Sequence, residues 1–472
     1  KAILVHYEGT DEELVIPDEV AGRPVTQIGN GMKGLVGALS PKTVKRVVLP
    51  KGTEVIAAHA FEYFGTFECE LPENLKVLGD QAFSYCSVPF TSLPKGLLDL
   101  GEDALGSGCD FSGGVTIPSS IQRIAPGAFK GLSVSEFKME GTNEDYCVLD
   151  GMLYAANGRF LLAGRLPGAD GKIVVPNGTE VIGTYAFCGL PVREVELPSS
   201  VSLIAQYAFA YCTKLQRILL PEGLTNIGSY SFVYTGLRQL ELPKSCARIG
   251  SAAFFGASNL ERITGSPKTV EPYAFAYCES LWEVAFAEGL TEIGDLAFYQ
   301  TNVTSVALPD SLCYLGAHVF ASDDPGLRSK IMKELVIGCQ LQYIGENAFG
   351  DLPVSKFIVS EQNPFYSVKD GFLMDKSQRR LIACPAGMTG ETAVPEGTSE
   401  IAGYAFYPCI YLTAIQIPES VGVIGRNAFC DHAAGGEMNG DRPLIRCKEG
   451  SAAYVYAVAR NWPYVIDGQD KK

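Results

Sequence analysis

A dipeptide made of a small residue followed by Phe recurs along this chain of 472 residues at nearly constant spacing. Ten of the thirteen intervals measure 21 to 24 residues, and Leu105 replaces Phe at one position. The Phe positions are Phe61, Phe83, Phe129, Phe187, Phe209, Phe232, Phe254, Phe275, Phe298, Phe320, Phe349, Phe406 and Phe429. A repeat of about 22 residues cannot close a hydrophobic core alone, so this period predicts repeats that stack into a solenoid.

Each repeat has further landmarks in fixed phase with its Phe. An Ile-Gly or Ile-Ala pair precedes the Phe, as in Ile204-Ala205, and a hydrophobic-Pro pair precedes that, as in Leu197-Pro198. Hexads such as Leu215-x-x-Ile218-x-Leu220 alternate apolar and polar residues, which predicts a short half-buried strand. The fold is therefore predicted to be a mainly β repeat solenoid with short helical or irregular segments around Ala-Phe.

Two similar segments, 140–180 and 360–399, interrupt the period. Asp150-Gly151 in the first matches Asp370-Gly371 in the second at an offset of 220 residues. Asp-Gly between alternating apolar residues is typical of a tight hairpin, so each segment is predicted to be an inserted β-meander.

The ends of the chain differ from its middle. We predict a degenerate N-terminal repeat or cap, three runs of repeats separated by the two meanders, a short helix near 451–460 that covers the open end, and a polar tail. The predicted boundaries of the cap, the runs of repeats and the tail are 1–40, 41–139, 181–359, 400–466 and 467–472.

Composition and charge exclude several classes of function. Acidic residues outnumber basic residues 53 to 38, which gives a net charge of −15 and argues against nucleic-acid or anionic-membrane partners. No apolar run approaches the roughly 18 residues of a membrane helix, so we expect no membrane insertion of this segment.

Sequence motifs for catalysis or metal binding are weak. Gly29, Gly31 and Gly34 match Gly-x-Gly-x-x-Gly, but they overlap an Ile-Gly landmark and lack the strand–helix context of a dinucleotide site. The histidines lie far apart and have no metal-ligand spacing. They are His6, His59, His318 and His432. We expect no enzyme activity, no catalytic residue, no cofactor and no metal.

Several of the fourteen cysteines keep phase with the repeat. Those three residues after the repeat Phe are Cys86, Cys212, Cys278 and Cys409. This placement favours free thiols in small buried slots. Disulfides between adjacent coils stay an alternative, and the possible pairs are Cys86 with Cys109, Cys188 with Cys212, and Cys409 with Cys430.

Two sets of tyrosines are also in phase. One set lies two residues after the repeat Phe and comprises Tyr63, Tyr85, Tyr211, Tyr234 and Tyr277. The other lies two residues before it and comprises Tyr185, Tyr207, Tyr230, Tyr273 and Tyr404. Stacked tyrosines could form a stripe for glycan or protein ligands, or could serve coil-to-coil packing alone. Tyr211, Tyr234 and Tyr277 are candidate ligand-binding residues.

The outward positions of the predicted strands form a second candidate surface. Glu194, Glu196, Glu241 and Glu283 occupy such positions and favour a basic or mixed-charge partner on the strands between 192 and 310. The alternative is an ordinary solvated face.

The sequences of the repeats resemble the BspA-like leucine-rich repeat family. The resemblance is carried by "LPSSVSLIAQYAFAYC" and "IPESVGVIGRNAFC", by the Asp-Gly insertions and by the closing "GSAAYVYA" segment. The resemblance implies a right-handed leucine-rich-repeat solenoid. It also implies the bacterial cell surface, where characterised members are adhesins that bind host matrix proteins or other cells.

From this resemblance we expect a non-catalytic, surface-exposed or secreted recognition protein, adhesin-like, with a protein or glycan ligand along the solenoid face. The alternatives are a structural surface-layer component without a specific ligand and a binding module of a larger protein. The expected location is extracellular or at the cell surface, with a signal peptide already removed.

Overall fold

The computed structural model describes residues 1–7, 11–31, 44–90, 92–106, 108–109, 111, 113–322, 332–350, 352, 354–429 and 442–468. The chain divides into two compact units, Lys1–Leu237 and Arg238–Lys472, which we call the N-terminal and C-terminal units. Gly34, Cys430 and His432 lie outside the described residues, as do parts of the predicted N-terminal cap and polar tail.

The N-terminal unit consists of short strands, most of which pair in parallel with the same position of the next repeat. The strands are β1 (Ala2–Leu4), β2 (Glu13–Val15), β3 (Glu19–Val20), β4 (Arg23–Ile28), β5 (Arg46–Val48), β6 (Val55–Ile56), β7 (Glu68–Cys69), β8 (Val77–Leu78), β9 (Asp99–Leu100), β10 (Val115–Pro118), β11 (Arg123–Ile124), β12 (Phe137–Glu140), β13 (Tyr146–Leu149), β14 (Met152–Ala155), β15 (Phe160–Ala163), β16 (Lys172–Val174), β17 (Val181–Ile182), β18 (Glu194–Glu196), β19 (Leu203–Ile204), β20 (Arg217–Leu219) and β21 (Asn226–Ile227).

One set of strands comes from the hexads. In β18 the middle residue, Val195, is buried and its two neighbours are partly exposed, because successive strand residues point to opposite faces. Glu194 lies opposite Lys172 of β16 and Arg217 of β20 in parallel register. We call these the hexad strands; they place a row of outward side chains along the array.

The second set ends at the Ile-Gly or Ile-Ala pairs, and we call these the Ile-Gly strands. Glycine is required at these pairs where neighbouring coils approach each other closely. A Cβ at Gly79 would lie 2.4 Å from the backbone nitrogen of Ala58, and one at Gly228 would lie 2.7 Å from the carbonyl carbon of Ala205. At these positions a side chain would force the coils apart.

The first insertion is the predicted meander. Strands β13, β14 and β15 are antiparallel, and β15 then pairs in parallel with β17 to resume the array. Asp150 and Gly151 between β13 and β14 have φ values of 49° and 71°, as a tight hairpin turn requires. The Tyr146 hydroxyl accepts a hydrogen bond from the Ile124 backbone nitrogen at 2.9 Å, which ties the meander to the preceding repeat.

A column of phenylalanines forms the core of the N-terminal unit. Phe187, Phe209 and Phe232 are fully buried, and their rings stack with centroids 5.0 and 5.1 Å apart. The Cys212 thiol donates to the carbonyl oxygen of Phe187 at 3.0 Å, and Cys86 repeats this contact with Phe61 at 2.8 Å. The phased cysteines therefore link a coil to the one before it.

Leu105 interrupts this column, and two other aromatic rings lie nearby. Phe90 packs edge-on against Phe83 with centroids 5.0 Å apart, and Phe111 lies 5.8 Å from Phe90. All of these side chains, with Leu105, are buried. The core stays filled although one repeat lacks its Phe.

The C-terminal unit repeats this design. Its elements are β22 (Gln239–Glu241), β23 (Arg248–Ile249), β24 (Arg262–Gly265), β25 (Thr269–Val270), β26 (Glu283–Phe286), β27 (Glu292–Ile293), β28 (Ser305–Ala307), β29 (Tyr314–Leu315), β30 (Leu335–Ile337), β31 (Tyr343–Ile344), β32 (Phe357–Val359), β33 (Tyr366–Lys369), β34 (Phe372–Asp375), β35 (Arg380–Ala383), β36 (Gly390–Ala393), β37 (Glu400–Ile401), β38 (Leu412–Gln416), β39 (Val423–Ile424), β40 (Leu444–Cys447), α1 (Ala452–Ala459) and β41 (Tyr464–Ile466).

Stacked rings, a meander and a terminal helix organise this unit as well. Its phenylalanine column includes Phe275 and Phe298, whose centroids are 5.2 Å apart. Strands β33 to β35 form the second antiparallel meander. Helix α1 begins after Ser451, whose hydroxyl accepts a hydrogen bond from the Tyr454 backbone nitrogen at 3.3 Å. The predicted mainly β repeat solenoid with two inserted meanders is confirmed.

Candidate ligand-binding surfaces

In the N-terminal unit, the described residues two before and two after the residue at the repeat Phe position adopt positive φ. Tyr207 and Tyr211, which flank Phe209, have φ values of 56° and 60°. Glycines hold the equivalent positions elsewhere in the N-terminal unit, at Gly127 (76°) and Gly189 (75°). A residue with a side chain pays about 1–2 kcal/mol for this left-handed conformation. The backbone therefore favours glycine here, and the tyrosine rings must offset that cost through their own contacts.

The tyrosines before the Phe form one column in the N-terminal unit. Tyr185, Tyr207 and Tyr230 stack nearly parallel, with successive centroids 4.9 Å apart. The Lys130 ammonium lies 4.8 Å from the centroid of the Tyr185 ring. Burial raises the pKa of Tyr185 to about 12. We call this the Tyr185 column; its tyrosines show mainly ring edges and hydroxyl groups, because their faces cover one another.

The tyrosines after the Phe form two shorter stacks in this unit, one of which joins Tyr63 and Tyr85 with centroids 4.5 Å apart. The centroids of Tyr211 and Tyr234 are 5.7 Å apart, with an angle of 22° between the rings. They are 52 % and 45 % exposed. With the Tyr185 column they form what we call the tyrosine surface, defined by Tyr185, Tyr207, Tyr211, Tyr230 and Tyr234. Two of the candidate tyrosines thus lie on one aromatic surface.

The third candidate tyrosine, Tyr277, belongs to the C-terminal unit. It is 39 % exposed, and its ring lies 4.9 Å from Phe255 at 50° and 5.6 Å from Tyr299 at 80°. Phe255 and Tyr299 directly follow a repeat Phe, so they approach Tyr277 from a different position in the turn. Tyr277 therefore joins a tilted aromatic group within its own unit.

The candidate glutamates of the N-terminal unit share a cation. Lys172 lies 3.9 Å from the Glu194 carboxylate and donates a hydrogen bond to Glu196. Both glutamates are half-buried on β18. Opposite charges at this distance offset each other's field, so the outward row of this sheet has mixed charge. The sequence analysis did not identify Lys172 as an outward strand residue because it lies in the insertion. Lys172-Ile173-Val174 nevertheless follows the hexad pattern before Pro176.

The other two candidate glutamates lie in the C-terminal unit. Glu283 on β26 forms an ion pair with Arg262 of β24, with a separation of 3.0 Å. Glu241 is exposed on β22, opposite Thr264. In this unit too, the acidic residues of the outward row lie beside basic or uncharged residues of the neighbouring hexad strands.

The described histidines and acidic residues form no cluster of metal-ligand type. With the cysteines included, no group of three or more comes together in this part of the chain in a way that could hold a metal ion. His59 Nδ1 lies 2.8 Å from Glu62, and His318 Nδ1 lies 3.1 Å from the Asn347 side-chain nitrogen. In the same part of the chain, no helix has the length and apolarity to cross a membrane.

The described cysteines are free thiols, and most are buried. Burial raises the pKa of Cys86 and of Cys188 to about 11. Neutral thiols of this kind are poor nucleophiles at physiological pH, since the thiolate is the reactive form. Their contacts with backbone carbonyls suit a packing role.

The stacked parallel strands, the buried ring column and the hexad pattern define a leucine-rich-repeat solenoid. The family of BspA-type leucine-rich repeat regions matches the chain in six copies over residues 38–147, 171–269, 262–369 and 389–434. The protein belongs to this family. No curated protein has a significant match to its sequence.

Several solved structures resemble this chain. A leucine-rich cell surface protein from Faecalibacterium prausnitzii A2-165 is 22 % identical with a TM-score of 0.45, covering 60 % of this chain and 90 % of that one. The pneumococcal vaccine antigen PcpA is 20 % identical with a TM-score of 0.46, covering 67 % and 87 %. A leucine-rich repeat protein from Eubacterium ventriosum ATCC 27560 is 18 % identical with a TM-score of 0.49, covering 66 % and 83 %.

Proposed function

We propose that this protein is a non-catalytic, adhesin-like recognition protein at the bacterial cell surface or secreted from it. In this proposal it binds a protein or glycan ligand through the tyrosine surface of the N-terminal unit. The family supports a repeat module for interactions. The observation behind the choice of surface is the set of tyrosines held at positive φ.

The energetics of these positions support a binding role. Gly127 and Gly189 take the same backbone conformation without the cost of a side chain. A stacked aromatic pair gains about 0.5–1.5 kcal/mol, which is close to the conformational cost, so the rings add little net stability. Exposed tyrosines also combine a large apolar area with a hydrogen-bonding group, and they are enriched among the residues that dominate binding energy.

The experiment removes the rings and keeps the backbone. The triple variant Tyr207→Gly, Tyr211→Gly and Tyr234→Gly should keep its unfolding midpoint nearly unchanged, since glycine favours positive φ. We expect it to lose binding to whichever immobilised host matrix protein or arrayed host glycan the unchanged protein binds. Surface plasmon resonance measures the affinity, and circular dichroism reports the fold.

The matched control is Gln81→Gly. Gln81 occupies the same turn position as Tyr207, with φ of 55°, and has no aromatic ring. It should bind as the unchanged protein does. Equal affinity of the triple variant and the unchanged protein for every probe would refute the tyrosine surface as the binding site. Ordered self-assembly with no probe bound would favour a structural surface-layer role.

A further inference from the structure

The two stacks of the tyrosine surface, the Tyr185 column and the pair of Tyr211 and Tyr234, end differently. At the start of the Tyr185 column, the Tyr185 ring lies over Gly127, where an added Cβ would be 2.7 Å from the ring, and Lys130 lies above it. The shorter stack starts at Tyr211. The coil before it has Gly189 at the equivalent position. One stack is closed by its neighbours, and the other ends at a coil without a side chain.

The space beside Gly189 is open among the described residues. The nearest heavy atom to an added Cβ at Gly189 would be the Cα of Gly131, 3.8 Å away. Gly131 occupies the same turn position one described coil earlier and also has positive φ. Tyr234 covers one face of the Tyr211 ring, and the opposite face lies toward Gly189. The stack therefore lacks one ring at this position.

A cation borders this space. Lys130 directly precedes Gly131 in the chain, and its ammonium lies 4.8 Å from the ring centroid of Tyr185, which belongs to the same coil as Gly189. The acidic groups near this end of the surface are Asp103 and Glu102. Asp103 accepts a hydrogen bond from the Ser84 hydroxyl at 2.6 Å.

We propose that the sugar ring of a carboxylated glycan binds beside Gly189, stacks on the open face of Tyr211 and pairs its carboxylate with Lys130. This inference rests on the proposed function and names its ligand class. A ring in this place continues the stack at the spacing of about one coil. A carboxylated sugar unites a ring with an apolar C–H face and a single anion in one residue, whereas an aromatic side chain of a protein partner provides the ring without the charge.

The charges around the site limit the anion it accepts. Lys130 offers one positive charge, and Asp103 and Glu102 place negative charge near Tyr185. A densely sulfated chain would be repelled by these carboxylates, whereas one carboxylate can be satisfied by one ammonium. The site is therefore selective for a singly charged sugar.

The test compares two matched probes, 3′-sialyllactose and lactose, which differ in the carboxylated unit. Titration calorimetry with the full chain should give at least about tenfold tighter binding of 3′-sialyllactose, equal to about 1.4 kcal/mol. Gly189→Tyr fills the space with a ring that this backbone accepts, since Tyr211 has φ of 60° at the equivalent position. That variant should lose binding of 3′-sialyllactose and keep its unfolding midpoint.

Two further variants separate the ring from the charge. Lys130→Gln should weaken 3′-sialyllactose about fivefold and leave lactose unchanged. Tyr85→Gly removes a ring at the same turn position in another coil and should change neither. Undiminished binding of 3′-sialyllactose to Gly189→Tyr, or equal affinity for the two sugars, would overturn the inference.

The same binding measurements distinguish a failure of the glycan site from a failure of the proposed function. If a matrix protein binds through the tyrosine surface while neither sugar binds at millimolar concentration, the acidic-glycan site is wrong and the proposed function stands. If the tyrosine-to-glycine triple variant keeps every affinity, both fail together.

Discussion

Two stretches of the N-terminal unit build the same array in different ways. In the regular stretch, 181–237, each coil adds an in-register Ile-Gly strand and a parallel Phe ring. In the irregular stretch, 71–132, Leu105 replaces the Phe, and the rings of Phe83, Phe90 and Phe111 meet at 80° and 32° instead of stacking in parallel. The Ile-Gly strands β8, β9 and β11 nevertheless remain in parallel register.

The hexad strands behave differently in the irregular stretch. Among its described residues, no hexad strand lies between β7, which ends at Cys69, and β10, which starts at Val115. Pro89 lies where the next strand would run, and proline cannot donate a hydrogen bond to a ladder. The comparison indicates that the Ile-Gly strands continue the stack through a stretch where the ring column is interrupted.

The largest expected effect is in the regular stretch. Phe209→Ala removes a fully buried ring stacked between two others and should lower the free energy of unfolding by about 3–5 kcal/mol. Phe275→Ala should behave similarly in the C-terminal unit. Because coils share interfaces, hydrogen exchange should also accelerate in adjacent repeats. Urea unfolding measures the change in the free energy of unfolding. A decrease below about 1 kcal/mol at both sites would show that the stacked rings do not stabilise the fold as a column.

The second effect concerns the irregular stretch. Leu105→Phe restores the consensus residue but should cost about 1–3 kcal/mol, because Leu105 is fully buried in the core cluster that also contains Phe90 and Phe111, and a larger side chain would overpack it. Thermal unfolding measures this change. A stabilised variant would show that the core has room for a ring at residue 105. The two stretches would then differ less in packing than their ring angles indicate.

Alkaline pH should affect both stretches alike. Burial raises the pKa of Cys86 and of Cys188 to about 11 in the folded state, whereas an unfolded thiol titrates near 8.5. Their contribution to stability is therefore intact below about pH 8.5 and is lost as the pH rises toward 11, by about 1.4 kcal/mol per pH unit for each thiol. Urea unfolding between pH 8 and 10 measures this slope.

The cysteine assignment has its own control. Cys86→Ala with Cys188→Ala should lessen the alkaline slope without removing it, because burial also raises the pKa of Cys69, Cys109 and Cys246. Thiol counting in denaturant without reductant should find mostly free thiols. An unchanged slope would show that groups other than Cys86 and Cys188 cause the loss of stability at alkaline pH. Four or more disulfides in protein from an oxidising host would make the cysteines covalent links.

The smallest expected effect on stability lies on the hexad strands. Glu194→Gln with Glu196→Gln leaves Lys172 without its ion pairs, yet exposed pairs contribute only about 0–1 kcal/mol each. Extending the change to Glu241 and Glu283 tests the candidate glutamates of each unit as ligand-binding residues. A ligand docked there should associate more slowly at low salt, and an unchanged association rate would exclude these residues.

The repeat period, the meanders and the terminal helix were predictable because they depend on local pattern. The period of Phe209 and its relatives requires stacking, and Asp150-Gly151 encodes its own turn. The filling of the Leu105 region was not predictable, because Phe90 and Phe111 lie outside the phased positions. The mixed charge around Glu194 was missed for a similar reason, since its cation comes from an insertion.

The tyrosines show where sequence reasoning reached its limit. Their phase was visible, and it predicted that like residues would meet. Their positive φ was not, because Tyr211 and Gly189 share one backbone conformation although their residue types differ. The open space beside Gly189 follows only from that shared conformation.

The left-handed turn positions have a consequence for protein engineering. Within the N-terminal unit His59, Gln81, Asp103 and Tyr185 all occupy the same turn position with φ between 50° and 61°. Residues as different as these can therefore be exchanged without redirecting the chain. A combinatorial library randomised at such positions would vary the outer surface while the ring column keeps folding the protein, which makes this solenoid a scaffold for selected binding reagents.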